Sequence, residues 1–190
     1  MNSRLRRTPP EVIYYVAASL DGRIATPDGG VRWLEPFEQS GEDYGYARFV
    51  RSIDGLLFGR RTFEQVLTFG PWPYAGKACW VFSGGRRPAS VPENVRYTKM
   101  SPKAVLTKLG ALGLRRLWLV GGGELAAAFH KAGLITEYFI TYVPVVLGDG
   151  VELLAGGGPE RPLRIVGRRA FPSGVVQVRS VPAPAPRRHR

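Results

Sequence analysis

The chain has 190 residues, 44% of them hydrophobic, and 27 lysines and arginines against 15 acids give a net charge of +12. That length fits one domain with an ample core, and no apolar run reaches the ~20 residues that cross a bilayer. A lone cysteine, Cys79, excludes an intrachain disulfide, and its apolar setting (Ala78-Cys79-Trp80-Val81-Phe82) suits a small core residue better than a nucleophile. The N-terminus has arginines but no signal-type apolar core, so a cytoplasmic protein is expected. Six positive charges sit in the two ends, on Arg4, Arg6, Arg7, Arg187, Arg188 and Arg190. No interleaved aromatic and basic stripe accompanies them, so the charge calls for no nucleic-acid partner.

In chain order, residues 1–10 are expected to be a disordered basic arm, 11–181 one domain, and 182–190 a disordered Pro/Arg tail. The domain opens with a strand Val12–Ala18 and a loop from Ser19 to Pro36. A helix is expected over Glu38–Ile53, then a strand Gly55–Phe58, a short helix Thr62–Leu67 and a loop Gly70–Gly76. A strand Ala78–Phe82, a basic turn Ser83–Pro88 and a short strand Val95–Thr98 follow. Ser101 and Pro102 mark the start of a helix to Leu112. A strand Arg116–Val120 leads into a helix Glu124–Lys131, ended by Gly133. The last strands are Glu137–Val146, Leu163–Phe171 and Val175–Val181, the final two joined by Pro172-Ser173-Gly174. Alternating strands and helices followed by a hairpin imply an α/β fold, with a mostly parallel sheet and an antiparallel strand at or near one edge.

Two glycine-marked junctions stand at strand carboxyl ends, where ligands bind on such sheets. They are Gly59-Arg60-Arg61-Thr62 after Leu56-Leu57-Phe58, and Gly121-Gly122-Gly123-Glu124 after Leu117-Trp118-Leu119-Val120. Glycine admits a ligand close to the backbone, and arginine forks match phosphate oxygens. Two such junctions suit a ligand with more than one phosphate. Thr62 suits either a helix cap or a phosphate contact. Ser83, with Arg86 or Arg87, stands at a third strand end and reads equally as an adenosine contact or a solvated turn. Neither G-x-G-x-x-G after the first strand nor a Walker lysine is present. Glu42 and Asp43 flank Tyr46 at helical spacing, and periodicity does not choose between them; both also read as an acidic first turn. Trp33 suits a stack on a flat heterocycle or a place in the core. No metal is expected, with His130 in a helix and His189 in the tail.

Four blocks together resemble the dihydrofolate reductase fold, in the branch of the reductase domain of bacterial riboflavin biosynthesis. They are Ala17 to Ala25 (AASLDGRIA), Asp54 to Glu64 (DGLLFGRRTFE), Val120 to Leu125 (VGGGEL) and Pro144 to Gly150 (PVVLGDG). The resemblance implies a three-layer αβα reductase, NADPH as cofactor, a small heterocyclic substrate of flavin-precursor pyrimidine or pteridine type, and a homodimer. It places Ala17 and Ile24 beside the nicotinamide, Gly59, Arg60, Arg61 and Thr62 on phosphates, Ser83 toward the adenosine, and Gly121, Gly122, Gly123, Glu124 and Leu125 around the pyrophosphate. It favours Asp43 as the acid, with Trp33 and Tyr46 on the substrate. The chain departs from riboflavin-pathway reductases in its helix arginines, Arg48 and Arg51 only, and shows no deaminase domain or zinc-ligand set. A non-catalytic nucleotide-binding protein on the same fold is the competing reading.

Overall fold

A computed structural model describes residues 8–38, 41–85, 87–88 and 90–184. The expected arms therefore lie mostly outside the described residues. Where they are described, their inner ends are tied down. Pro10 is buried against Gly110, Pro182 pairs with Leu163, and the Ala183 N–H donates to the Pro162 carbonyl.

Eight strands form one sheet. In chain order they are β1 (Glu11–Ser19), β3 (Gly55–Gly59), β4 (Ala78–Phe82), β5 (Val95–Thr98), β6 (Arg116–Gly121), β7 (Glu137–Val143), β9 (Leu163–Ala170) and β10 (Val176–Pro182). Their spatial order is β5-β4-β3-β6-β1-β7-β10-β9. The first six are parallel, and β10 and β9 close the edge as an antiparallel hairpin. A separate ribbon pairs β2 (Arg23–Ala25) with β8 (Val151–Glu152). Both partners are too short to leave a period in the sequence.

Helices cover both faces, giving three layers, because central parallel strands are apolar on both sides. Val12 and Tyr14 of β1 face α4 (Pro102–Ala111) and α5 (Gly123–Lys131), packing with Leu109 and Phe129. The alternate residues Ile13 and Tyr15 face α2 (Tyr46–Ser52) and α3 (Arg60–Val66), packing with Phe49 and Phe63. Cys79 is fully buried in this second layer, and burial pushes its thiol up to about 12, so it is a core residue. Ser101 caps α4 by accepting from the Ala104 N–H at 3.4 Å, as its position before Pro102 predicts. No helix among the described residues is long and apolar enough to cross a membrane.

One expected element is corrected. Instead of a single helix over Glu38–Ile53, α1 (Glu35–Glu38) and α2 are separate. Gly41, Tyr44 and Gly45 between them have φ of 75°, 51° and 78°, outside the helical region. Local hydrogen bonds favour the turn: Asp43 Oδ1 accepts from the Gly45 N–H at 2.8 Å and Oδ2 from the Ala47 N–H at 3.2 Å. At the other side of the sheet β7 stops at Val143, three residues early, because Pro144 has no N–H for the ladder.

Candidate functional site

The carboxyl ends of β1, β3, β4 and β6 open onto a cleft of about 1640 Å³. That exceeds the ~300–1,000 Å³ of ordinary small-molecule pockets and leaves room for two ligands. Its walls bring together Ala17 and Ile24, the four residues Gly59, Arg60, Arg61 and Thr62, then Ser83, and finally Gly122, Gly123, Glu124 and Leu125. Strand order explains the convergence. β3, β6 and β1 are neighbours, so junctions about 40 and 105 residues from Ala17 in sequence share one rim.

Three arginines line the cleft among the described residues: Arg23, Arg60 and Arg61. Arg60 Nη1 meets both carboxylate oxygens of Glu64, one turn on, at 3.1 and 3.2 Å. Both side chains are largely exposed, so the pair adds little stability. Arg23 reaches Glu152 at 3.3 Å across the β2–β8 ribbon, and its Nε is buried without a partner. Helices α3 and α5 lack a side-chain cap at their first residue.

The three consecutive glycines do different jobs. Gly121 is buried, with φ of 111°, and the Gly121–Gly122 peptide is cis. Gly123 is a packing residue: a Cβ there would lie 2.1 Å from the Glu152 carbonyl oxygen. Close approach between α5 and β8 is thus part of why glycine stands here, beside any contact with a ligand.

The Asp21 carboxylate explains why the first and last sequence blocks occur together. Oδ1 accepts from the Ser19 hydroxyl at 2.7 Å and the Leu147 N–H at 3.0 Å, and Oδ2 accepts from the Gly148 N–H at 2.8 Å. The Ser19 hydroxyl, followed by these amides, holds the Asp21 carboxyl down to about 2. A depressed carboxylate stabilises the fold above its ordinary pKa of ~3.9 and loses that contribution as pH falls. Asp21→Asn is therefore expected to lower Tm at neutral pH. The gap to the parent chain should narrow between about pH 4 and pH 2, as thermal melts across that range will read.

The proposed substrate residues do not reach the walls of this cleft. Asp43 sits in the turn before α2, with both carboxylate oxygens on backbone N–H groups that hold it ionised below the usual carboxylate range. Glu42 accepts from the Tyr44 N–H at 3.1 Å and approaches Arg169 at 3.9 Å. The helical spacing that joined both acids to Tyr46 is therefore broken. The Tyr46 hydroxyl shares a 2.7 Å hydrogen bond with that of Tyr74, and its ring lies edge-on to Trp118. Trp33 packs beside Val143, Phe171 and Val175. Arg86 lies outside the described residues, and Arg87 is exposed away from the cleft walls. His130 is buried, bonded to the Tyr138 hydroxyl at 2.6 Å and the Pro159 carbonyl at 2.9 Å.

Several wall residues carry no signal in the local sequence. Pro27, Asp28, Val31 and Leu34 come from the segment between β2 and α1; Gln65, Val66 and Phe69 come from the far end of α3 and the turn after it. Gln65 Nε2 donates to the Gly29 carbonyl at 2.6 Å and ties the two segments together. The one cue is the i, i+3 pair Val66 and Phe69 on a helix end, with Phe69 64% exposed.

Residues 72–177 match the family model described as the RibD C-terminal domain. YwjB of Bacillus subtilis, an uncharacterized protein, is 38% identical over 167 residues, covering 87% of this chain and 94% of that protein. The chain belongs to the RibD C-terminal domain family. Among solved structures of similar fold is a Shewanella sp. PV-4 protein named for riboflavin biosynthesis. It has a TM-score of 0.84 and 29% identity, with 92% of this chain and 99% of that one covered. The Thermotoga maritima diaminohydroxyphosphoribosylaminopyrimidine deaminase/5-amino-6-(5-phosphoribosylamino)uracil reductase shares the fold at a TM-score of 0.72 and 17% identity. There 92% of this chain covers 57% of the longer protein. The RibD C-terminal sheet, with its antiparallel C-terminal strands, is thus the architecture found here.

Proposed function

We propose that this protein is a reductase that takes a hydride from NADPH to a small heterocycle of the flavin-precursor pyrimidine or pteridine type. The observation that carries the reading is the convergence of Gly59-Arg60-Arg61-Thr62 from β3 with Gly122 to Leu125 from β6 on one cleft. The donor set fits the cofactor. Two arginine forks and two hydroxyls, on Thr62 and Ser83, suit a dinucleotide with an extra phosphate, and no carboxylate replaces them at the α3 start. Ala17 and Ile24 offer small apolar surface to a nicotinamide face. Reductase domains of this family are NADPH-dependent in general, which supports the same assignment.

When bound, NADPH supplies a hydride that adds to the carbon of a C=N bond while the nitrogen takes a proton. The chain's own part is to place and shield. Arg60 and Arg61 neutralise phosphate charge, Thr62 and Ser83 donate hydrogen bonds, and Ala17 and Ile24 keep water off the reacting ring. Asp43 sits in the turn before α2, with its carboxylate on the Gly45 and Ala47 N–H groups. Fluorescence titration with NADPH and NADH tests the reading. NADPH is expected to bind with a preference of at least about tenfold over NADH. Binding of neither nucleotide removes the proposal.

A further inference from the structure

Of the three arginines on the cleft wall, Arg60 and Arg61 are exposed, whereas the Arg23 side chain keeps only 24% of its surface open. The stem of Arg23 is fixed. Its N–H donates to the Ser19 hydroxyl oxygen at 2.9 Å, and the ribbon pairs it with Glu152. The head is held loosely. Both guanidinium contacts fall on Nη1, at 3.3 Å to the Glu152 carboxylate and 3.5 Å to the Gly150 carbonyl. Charge-assisted bonds of this kind are normally about 2.7–2.9 Å, so both are long.

Nε is buried without a partner, and Nη2 makes no hydrogen bond among the described residues. These two nitrogens form one edge of the guanidinium, whose parallel N–H groups take a planar pair of acceptors. Arg179 shows that edge in use: Nε donates to Glu137 Oε1 at 2.5 Å and Nη2 to Oε2 at 3.1 Å. In Arg23 the same edge is idle, and a charged N–H shut from water without an acceptor is costly. Glu152 holds it weakly, because a carboxylate 53% exposed returns to water when released.

We infer that Arg23 is a substrate-binding residue. As the cleft fills, its head turns from Glu152 and presents Nε and Nη2 to two adjacent acceptors on the heterocycle, a carbonyl oxygen and the unprotonated ring nitrogen beside it. This rests on the reductase reading above, in which Arg60 and Arg61 take the cofactor's phosphates and Ile24, next to Arg23 in β2, borders the nicotinamide. Arg23 then stands at the reacting end of the cleft. The acceptor pair is the one an arginine fork reads on guanine, O6 and N7. A pterin offers the same pair in its C4 carbonyl and N5. An amino group in place of that carbonyl sets a donor against the fork, so Arg23 selects oxo over amino heterocycles.

The test uses the full chain saturated with NADP+, titrated with pterin and with 2,4-diaminopteridine, which differ at that position. Pterin is expected to bind about tenfold more tightly. In Arg23→Ala this preference is expected to vanish through loss of pterin affinity, with NADP+ affinity within about threefold of the parent chain. Arg23→Lys keeps the charge beside Glu152 but has no fork, and is expected to lose the preference as well, which separates recognition from folding. A parent chain without the preference, or a preference that survives in either variant, overturns the inference. So does an NADP+ loss in Arg23→Ala as large as the pterin loss, which gives the fork to the cofactor. Absence of binding by both pteridines to a chain that still binds NADP+ also overturns it and leaves the cofactor reading standing. Failure to bind NADP+ and NADPH brings down the cofactor reading itself.

Discussion

Arg60→Ala is expected to weaken NADPH by about ten- to a hundredfold while NADH affinity changes less than about threefold. The magnitude is that of one or two charge-assisted hydrogen bonds from a guanidinium to a phosphate, ~1.5–3 kcal/mol. The site is well suited to such a measurement. Arg60 is half-exposed and its Glu64 partner equally so, so its removal leaves the fold almost untouched. Glu64 also competes for the guanidinium at 3.1 Å, and Glu64→Gln should move NADPH affinity in the opposite direction. Titrations of both nucleotides against the parent chain and the two variants, at low and high salt, check this. Equal losses for NADPH and NADH in Arg60→Ala would take the 2′-phosphate away from Arg60.

Gly123→Ala is expected to cost about 2–4 kcal/mol of stability and to abolish nucleotide binding. Its Cβ would fall 2.1 Å from the Glu152 carbonyl oxygen and 3.2 Å from the Ala155 Cβ. Backbone, not a flexible side-chain tip, must move. The segment that moves carries β8, and β8 holds β2 with its cleft residues Arg23 and Ile24. Gly122→Ala is the matched control, since its Cβ would meet only the Thr62 hydroxyl, at 3.2 Å, which rotates aside. A melt of Gly123→Ala should show Tm down by on the order of 10 °C, with a much smaller change for the control. Comparable melts for the two variants would refute the packing role of Gly123.

Much of the fold is legible in the chain because its central strands are short apolar runs bounded by glycine. Leu56-Leu57-Phe58 and Leu117-Trp118-Leu119-Val120 end where the helices begin, and both ends lie on the cleft. What escaped was set by partners far away in sequence. Gly123 looks like a ligand-facing glycine until Glu152 is seen against it. The β2–β8 ribbon has too few residues to show a period. The stretch before α2 reads as helix because Tyr46, Phe49, Val50 and Ile53 do form an apolar stripe, but extending it backward crosses Gly41 and Gly45. Those two glycines were the available warning, and Asp43 two residues before Gly45 is the turn signature that goes with them. The wall contributed by the segment after β2 was not legible for another reason. Pro27, Val31 and Leu34 are unremarkable apolar residues until Gln65 draws their segment against α3.

The position of β1 has a consequence for how the chain is made. β1 leaves the ribosome before the other strands of its sheet, yet it lies between β6 and β7, pairing Glu11 with Arg116 and Ile13 with Glu137. Both neighbours come more than 100 residues later. At ~5–20 residues per second, β1 waits on the order of ten seconds for its partners. Through that interval the run Val12-Ile13-Tyr14-Tyr15-Val16 is apolar, rich in β-branched and aromatic residues, and without a place in the sheet. β3, β4 and β5 can pair with one another as they emerge, but β1 has no place until β6 and β7 have followed, so the nascent chain, more than the finished protein, is where aggregation has to be held off.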